Sequence, residues 1–106
     1  MCTQQTKESL ATLNISGNLL ISIPDNIFLL DNLKVLDISN NKLTSLPEMV
    51  NHSICELRAS GNQIQTLPNI EMDNLENLDL KSNKILELPA CLGGLAKIRK
   101  IVLDDN

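Results

Sequence analysis

Apolar residues in this chain recur in a fixed short pattern. In residues 33–43 they stand at Leu33, Leu36, Ile38 and Leu43, with Asn41 before the last, and Leu46-Pro47 follows. The alternation Leu36-Asp37-Ile38 predicts a short strand with Leu36 and Ile38 pointing in and Asp37 pointing out. The same order appears before it as Leu10, Leu13, Ile15, Asn18, Leu20, Ile23-Pro24. It returns as Ile54, Leu57, Ala59, Asn62, Ile64, Leu67-Pro68, then as Leu75, Leu78, Leu80, Asn83, Ile85, Leu88-Pro89. A last copy begins Ile98, Ile101, Leu103, Asn106. From Asn18 to Asn41, Asn62, Asn83 and Asn106 the steps are 23, 21, 21 and 23 residues. A period of this size predicts a solenoid in which each repeat is one layer.

Within a layer the strand is followed by a turn at Ser39-Asn40-Asn41. An asparagine amide both donates and accepts, so it can satisfy the backbone of its own turn and of the neighbouring layer. Asn18, Asn41, Asn62, Asn83 and Asn106 are therefore expected to stack as a structural ladder. Pro24, Pro47, Pro68 and Pro89 all fall in one slot, where a residue that cannot continue a helix suits an irregular return path. On that return the 23-residue repeats keep a spacing of three: Pro24, Ile27, Leu30, Leu33 and Pro89, Leu92, Leu95, Ile98. This predicts a 3₁₀-like or short helical turn. The 21-residue repeats are shorter and more polar there, at residues 48–53 and 69–74, and extended or loosely turned backbone is expected.

The recurring L-x-x-L-x-L-x-x-N-x-L resembles the leucine-rich-repeat family, over about residues 10–106. The resemblance implies an α/β solenoid, a horseshoe segment with a parallel sheet on its concave face and turns, 3₁₀ or short helices on its convex face. Residues 1–9 read as a lead-in or partial cap, and residues 10–106 as a single array with repeats starting at 10, 33, 54, 75 and 98. Nothing in the pattern covers Ile98, Ile101 and Leu103, so a piece of a longer array, or end-to-end self-association through uncapped repeats, is expected. The Leu-Pro ending resembles cytoplasmic arrays of the kind found in Ras-pathway scaffolds, which implies an intracellular signalling or adaptor role. The other role the resemblance implies is a regulatory or substrate-recognition array of a larger kinase, GTPase or ubiquitin ligase.

Composition narrows the partners. Among 106 residues Phe28 is the one aromatic, and the net charge is −4. An acidic chain without stacking rings lacks the footprint of nucleic-acid binding, and it lacks a polybasic face for an anionic membrane. Cys2, Cys55 and Cys91 are odd in number and widely spaced, which predicts free thiols in a reducing, cytoplasmic setting and no metal site. The start of the chain has no signal-peptide-like apolar run, so the sequons Asn14-Ile15-Ser16 and Asn51-His52-Ser53 read as chance.

What remains for chemistry is the outward side of the strands, where neighbouring repeats form columns. The first is Thr12, Val35, Glu56, Asn77, Lys100. The second is Asn14, Asp37, Arg58, Asp79, Val102. The third is Ser16, Ser39, Ser60, Lys81, Asp104. In the second, Arg58 stands between two carboxylates with Glu56 nearby. That is a mixed-charge patch fit to dock a basic segment, and equally an arginine neutralising its own neighbours. His52, the one histidine, falls on the convex return, away from these columns. No nucleophile has a base in reach, so neither catalysis nor a cofactor is expected. The reading is a non-catalytic module that binds a partner protein on the strand face.

Overall fold

The computed structural model describes residues 11–89 and 95–106. In chain order its strands are β1 (Thr12–Asn14), β2 (Val35–Asp37), β3 (Met49–Val50), β4 (Glu56–Arg58), β5 (Ile70–Glu71), β6 (Asn77–Asp79) and β7 (Lys100–Val102). Five of them form one parallel sheet in the order β1-β2-β4-β6-β7, with every strand one repeat from the next. The register places Leu13, Leu36, Leu57, Leu78 and Ile101 side by side. The period-two alternation then sends these residues, and Ile38, Ala59 and Leu80 two places on, into the layer stack. Leu36, Ile38, Leu57, Ala59 and Leu80 are fully buried, as are Leu43 and Ile64 on the return path. Leu13 and Ile101, on the two outermost strands, are partly buried.

Repeat length decides the return path. In the first repeat Pro24 has φ −68°, and a 3₁₀ turn spans Asp25–Leu29, closed by the Leu30 N–H donating to Ile27 O at 3.3 Å. It buries Phe28, 4% exposed, against the core. The second and third repeats, two residues shorter, have no such turn. A 3₁₀ turn advances about 2.0 Å per residue and extended chain about 3.3 Å, so the shorter segment spans the layer only by stretching. Stretched segments in adjacent layers can pair, and β3 and β5 form a second parallel sheet with Met49 beside Ile70. The expected extended backbone is thus an ordered ladder with Met49, Ile70 and Met72 buried beneath it. No α-helix occurs among the described residues. The predicted turn after Pro89 and the position of Cys91 fall largely in residues 90–94, and Cys2 with the lead-in in residues 1–10; both stretches lie outside the described residues.

The asparagines bind the layers together. Asn62 Nδ2 donates to Ala59 O in its own layer and to Ile38 O in the preceding one, both at 3.1 Å. Its Oδ1 accepts from the N–H of Asn41 at 3.1 Å and of Leu43 at 3.2 Å. Asn41 repeats this scheme, Asn83 does so with the Ile64 N–H as its one donor, and Asn106 extends it to Leu80 O and the Ile85 N–H. The Asn18 side chain donates only within its own turn, to Ile15 O and Ser16 O, and is exposed, while its backbone N–H donates to Asn41 Oδ1 at 2.9 Å. The residue before each asparagine lies in the left-handed region: Gly17 at φ 71°, Asn40 at 55°, Gly61 at 68°, Ser82 at 57° and Asp105 at 63°. That reversal turns the chain so that the next side chain aims back into the stack.

A further asparagine, Asn51, does similar work on the return path. It is 4% exposed, donates to Phe28 O at 3.0 Å and Leu30 O at 3.2 Å, and accepts from the N–H groups of Ser53 and Ile54 at 2.8 Å each. Its sequon is therefore a piece of the fold's own wiring.

The free-thiol expectation is corrected at Cys55, which is 6% exposed and disulfide-bonded. Sequence spacing is a poor guide here, because a solenoid brings residues far apart in the chain into neighbouring layers.

Candidate functional site

The open face of the five-stranded sheet carries the two outward columns in the register read from the repeat. Thr12, Val35, Glu56, Asn77 and Lys100 stand side by side, and so do Asn14, Asp37, Arg58, Asp79 and Val102. The third column lies just past the strand ends. Within it Ser39 is only 7% exposed and accepts a hydrogen bond from the Ser60 hydroxyl at 3.3 Å. Ser39 thus belongs to the floor of the face. Lys81 and Asp104 are exposed.

Most of the second column serves the backbone. The N–H two residues after the column position donates to the side-chain oxygen: Ser16 to Asn14 at 3.0 Å, Ser39 to Asp37 at 3.0 Å, Lys81 to Asp79 at 3.1 Å. These short side-chain turns satisfy a donor at the point where the strand ladder ends. The recurrence Asn-x-Ser, Asp-x-Ser, Asp-x-Lys is the signal in the sequence that could have revealed them.

Arg58 occupies the same slot and has no acceptor to offer. Its guanidinium instead folds along its own strand, and Nε donates to Glu56 Oε2. The hydrogen bond and charge of Glu56 raise its pKa above the ordinary arginine value, with smaller contributions from Asp37 and Asp79. Arg58 therefore pairs directly with Glu56, and the two aspartates act on it at longer range. Half of the arginine side chain is exposed, against 29% for Glu56. Three carboxylates surround one guanidinium, leaving an acidic field around an accessible cation.

The other ion pair among the described residues is Glu76–Arg99 at 3.9 Å, and on the return path His52 Nδ1 lies 3.1 Å from Asp73 Oδ2. Asp37, Asp79, Lys81 and Lys100 thus face solvent without an ionic partner among the described residues. No group of three or more metal-ligating side chains occurs among them. None of the described helices is long and apolar enough to cross a membrane.

A parallel strand per repeat, an asparagine rung per layer and a return path that varies with repeat length define a parallel-strand solenoid built from one repeated unit. A family model for leucine rich repeats matches residues 8–64, and a second leucine-rich-repeat model matches residues 74–95. The chain belongs to the leucine-rich-repeat family. Leucine-rich repeats are in general protein-interaction modules and in general non-catalytic.

Proposed function

We propose that this array is a non-catalytic docking module that binds a partner protein on the open face of its main sheet, in an intracellular signalling or adaptor setting. The observation that carries the docking reading is Arg58. Its slot is filled by a backbone-serving Asn or Asp in three other repeats, and Arg58 abandons that task. A side chain that gives up a local structural bond, stays half exposed and sits in a field of carboxylates is suited to recognition from outside. The extended solenoid face supplies the area around it.

The intracellular setting rests on the Leu-Pro ending of the repeats. The Cys55 disulfide weighs against it, because reducing compartments keep thiols reduced. Alkylation of cell extracts under non-reducing conditions, followed by mass spectrometry of the Cys55 peptide, decides this: an alkylated Cys55 supports the setting and an oxidised one removes it.

Docking is tested by quantitative affinity purification with wild-type chain and Arg58→Glu as baits, after circular dichroism has shown equal folding. Proteins depleted on the variant support the reading. Identical recovery of every partner overturns it.

A further inference from the structure

Beside Arg58 the open face is uneven. On β6 the outward residues Asn77 and Asp79 are short, while Glu56 on one side and Lys100 on the other are long. Between them lies a depression of about 240 Å³, bordered also by Val102. Its polar groups are largely unspent. One Asp79 oxygen holds the Lys81 N–H, and the other makes no hydrogen bond or ion pair to a described residue, though the Asp79 charge acts at longer range on Arg58 across the strands. The Asn77 carboxamide makes no hydrogen bond to a described residue, and Lys100 makes no ion pair with one. The notch thus offers an unpaired carboxylate on β6, an unpaired ammonium on β7 and a free carboxamide as its floor.

We infer that this notch reads an extended segment of a partner protein carrying a basic and an acidic side chain two positions apart, the basic one on Asp79 and the acidic one on Lys100. The inference rests on the docking reading above and adds to it the chemistry of the partner. The spacing follows from the lattice. Asp79 and Lys100 lie on adjacent strands, offset by two residues, because Asp79 is level with Val102. Such a diagonal is about 7–8 Å. In an extended peptide, alternate residues share a face and stand about 6.8 Å apart, at ~3.4 Å per residue. A basic-x-acidic segment laid across the notch therefore meets both charges at once, while adjacent charged residues would point to opposite sides. Asn77 can both donate to and accept from the segment's backbone. Glu56, already engaged by Arg58, walls the notch on the β4 side.

The test is an NMR titration of the isotopically labelled 106-residue chain with two synthetic capped peptides, Gly-Ser-Arg-Ser-Glu-Ser-Gly and its neutral counterpart with glutamine at both charged positions. The expected result is a saturable shift of the Asn77 side-chain amide and of the backbone of β6 and β7 with the charged peptide alone. Asp79→Asn removes the charge and keeps the oxygen that caps Lys81, so the fold is preserved. That variant and Lys100→Gln should each weaken the peptide by about two- to fivefold, the range for an exposed charge pair. Equal shifts from the neutral peptide, shifts mapping away from β6 and β7, or unchanged affinity in both variants would overturn the inference. Failure here leaves the docking reading standing wherever Arg58→Glu still loses its partners.

Discussion

The Oδ1 of Asn62 accepts the backbone N–H groups of Asn41 and Leu43 in the preceding layer, at 3.1 and 3.2 Å. One carboxamide thereby satisfies two donors across a layer junction, while its own N–H groups cover Ile38 O and Ala59 O. Replacing it with alanine orphans the two N–H groups in a buried setting, while Ile38 O and Ala59 O keep bonds from the neighbouring rungs Asn41 and Asn83. A buried unsatisfied polar group costs about 1–3 kcal/mol. Asn62→Ala should therefore lose at least ~2 kcal/mol, read as a lower urea midpoint. Asn62→Asp should not rescue it, because a carboxylate keeps the acceptor but turns charge toward two carbonyls. Asn18→Ala, at an exposed rung, should lose much less.

The left-handed residue ahead of each rung gives a second expectation. A Cβ in this region costs roughly 1–2 kcal/mol. At Gly17, φ 71°, an added Cβ meets nothing within 4 Å, so Gly17→Ala isolates that backbone cost. At Gly61, φ 68°, it collides with the Asn40 carboxamide oxygen. Gly61→Ala should cost as much or slightly more, since Asn40 is exposed and its side chain can turn away. Thermal denaturation of the two variants side by side checks both the magnitude and the order.

Periodicity explains what was legible beforehand. Leu36, Ile38, Leu43 and Asn41 recur at fixed offsets, and a repeated offset implies a repeated environment. The strand register followed, and with it the neighbours Asp37, Arg58 and Asp79. Facts that depend on how far one side chain reaches were not legible. Residue spacing alone does not say that Arg58 chooses Glu56 over its cross-strand aspartates, or that Ser39 is buried. Asn51 was missed because its slot is occupied once, and a single occurrence has no period. The notch on β6 arises from the unequal lengths of Glu56, Asn77 and Lys100, a difference that a pattern of outward positions treats as equivalent.

The capping carboxylates predict a contrast between two conservative changes. Asp37→Asn keeps an oxygen for the Ser39 N–H and should leave stability nearly unchanged. Asp37→Ala removes it and should cost about 0.5–1.5 kcal/mol, the net worth of an ordinary hydrogen bond. Urea denaturation of both variants decides. Equal losses would mean that the charge of Asp37, rather than its acceptor, matters to the fold.

The interior makes a steeper demand. Leu36 is fully buried between Leu13 and Leu57 on the neighbouring strands. Leu36→Ala should cost about 2–5 kcal/mol through lost transfer energy and the cavity left behind. The outermost Leu13 is only partly buried, so Leu13→Ala should cost less. Chemical denaturation that ranked Leu13→Ala above Leu36→Ala would reverse the layer order.

Arg58 carries an expectation about pH. Its pKa is raised above the ordinary arginine value, first by the hydrogen bond and charge of Glu56 and then by Asp37 and Asp79. A cationic group raised in the folded state contributes its full stabilisation below its unfolded pKa and loses it only as pH climbs through the folded value. Both values lie far above neutrality. The stability difference between wild type and Arg58→Ala should therefore stay constant between about pH 6 and pH 9. It should be small, within about 0.5 kcal/mol, because the pair with Glu56 is half exposed and screened. Added salt should shrink it further, as surface pairs weaken when the screening length falls to a few ångströms. Urea titrations of both proteins at two pH values and two salt concentrations measure all three effects. A difference that grew across the pH window would show that Arg58 is coupled to a group titrating near neutrality. A large difference independent of salt would make the arginine a part of the fold, and its exposed guanidinium would no longer be free to serve a partner.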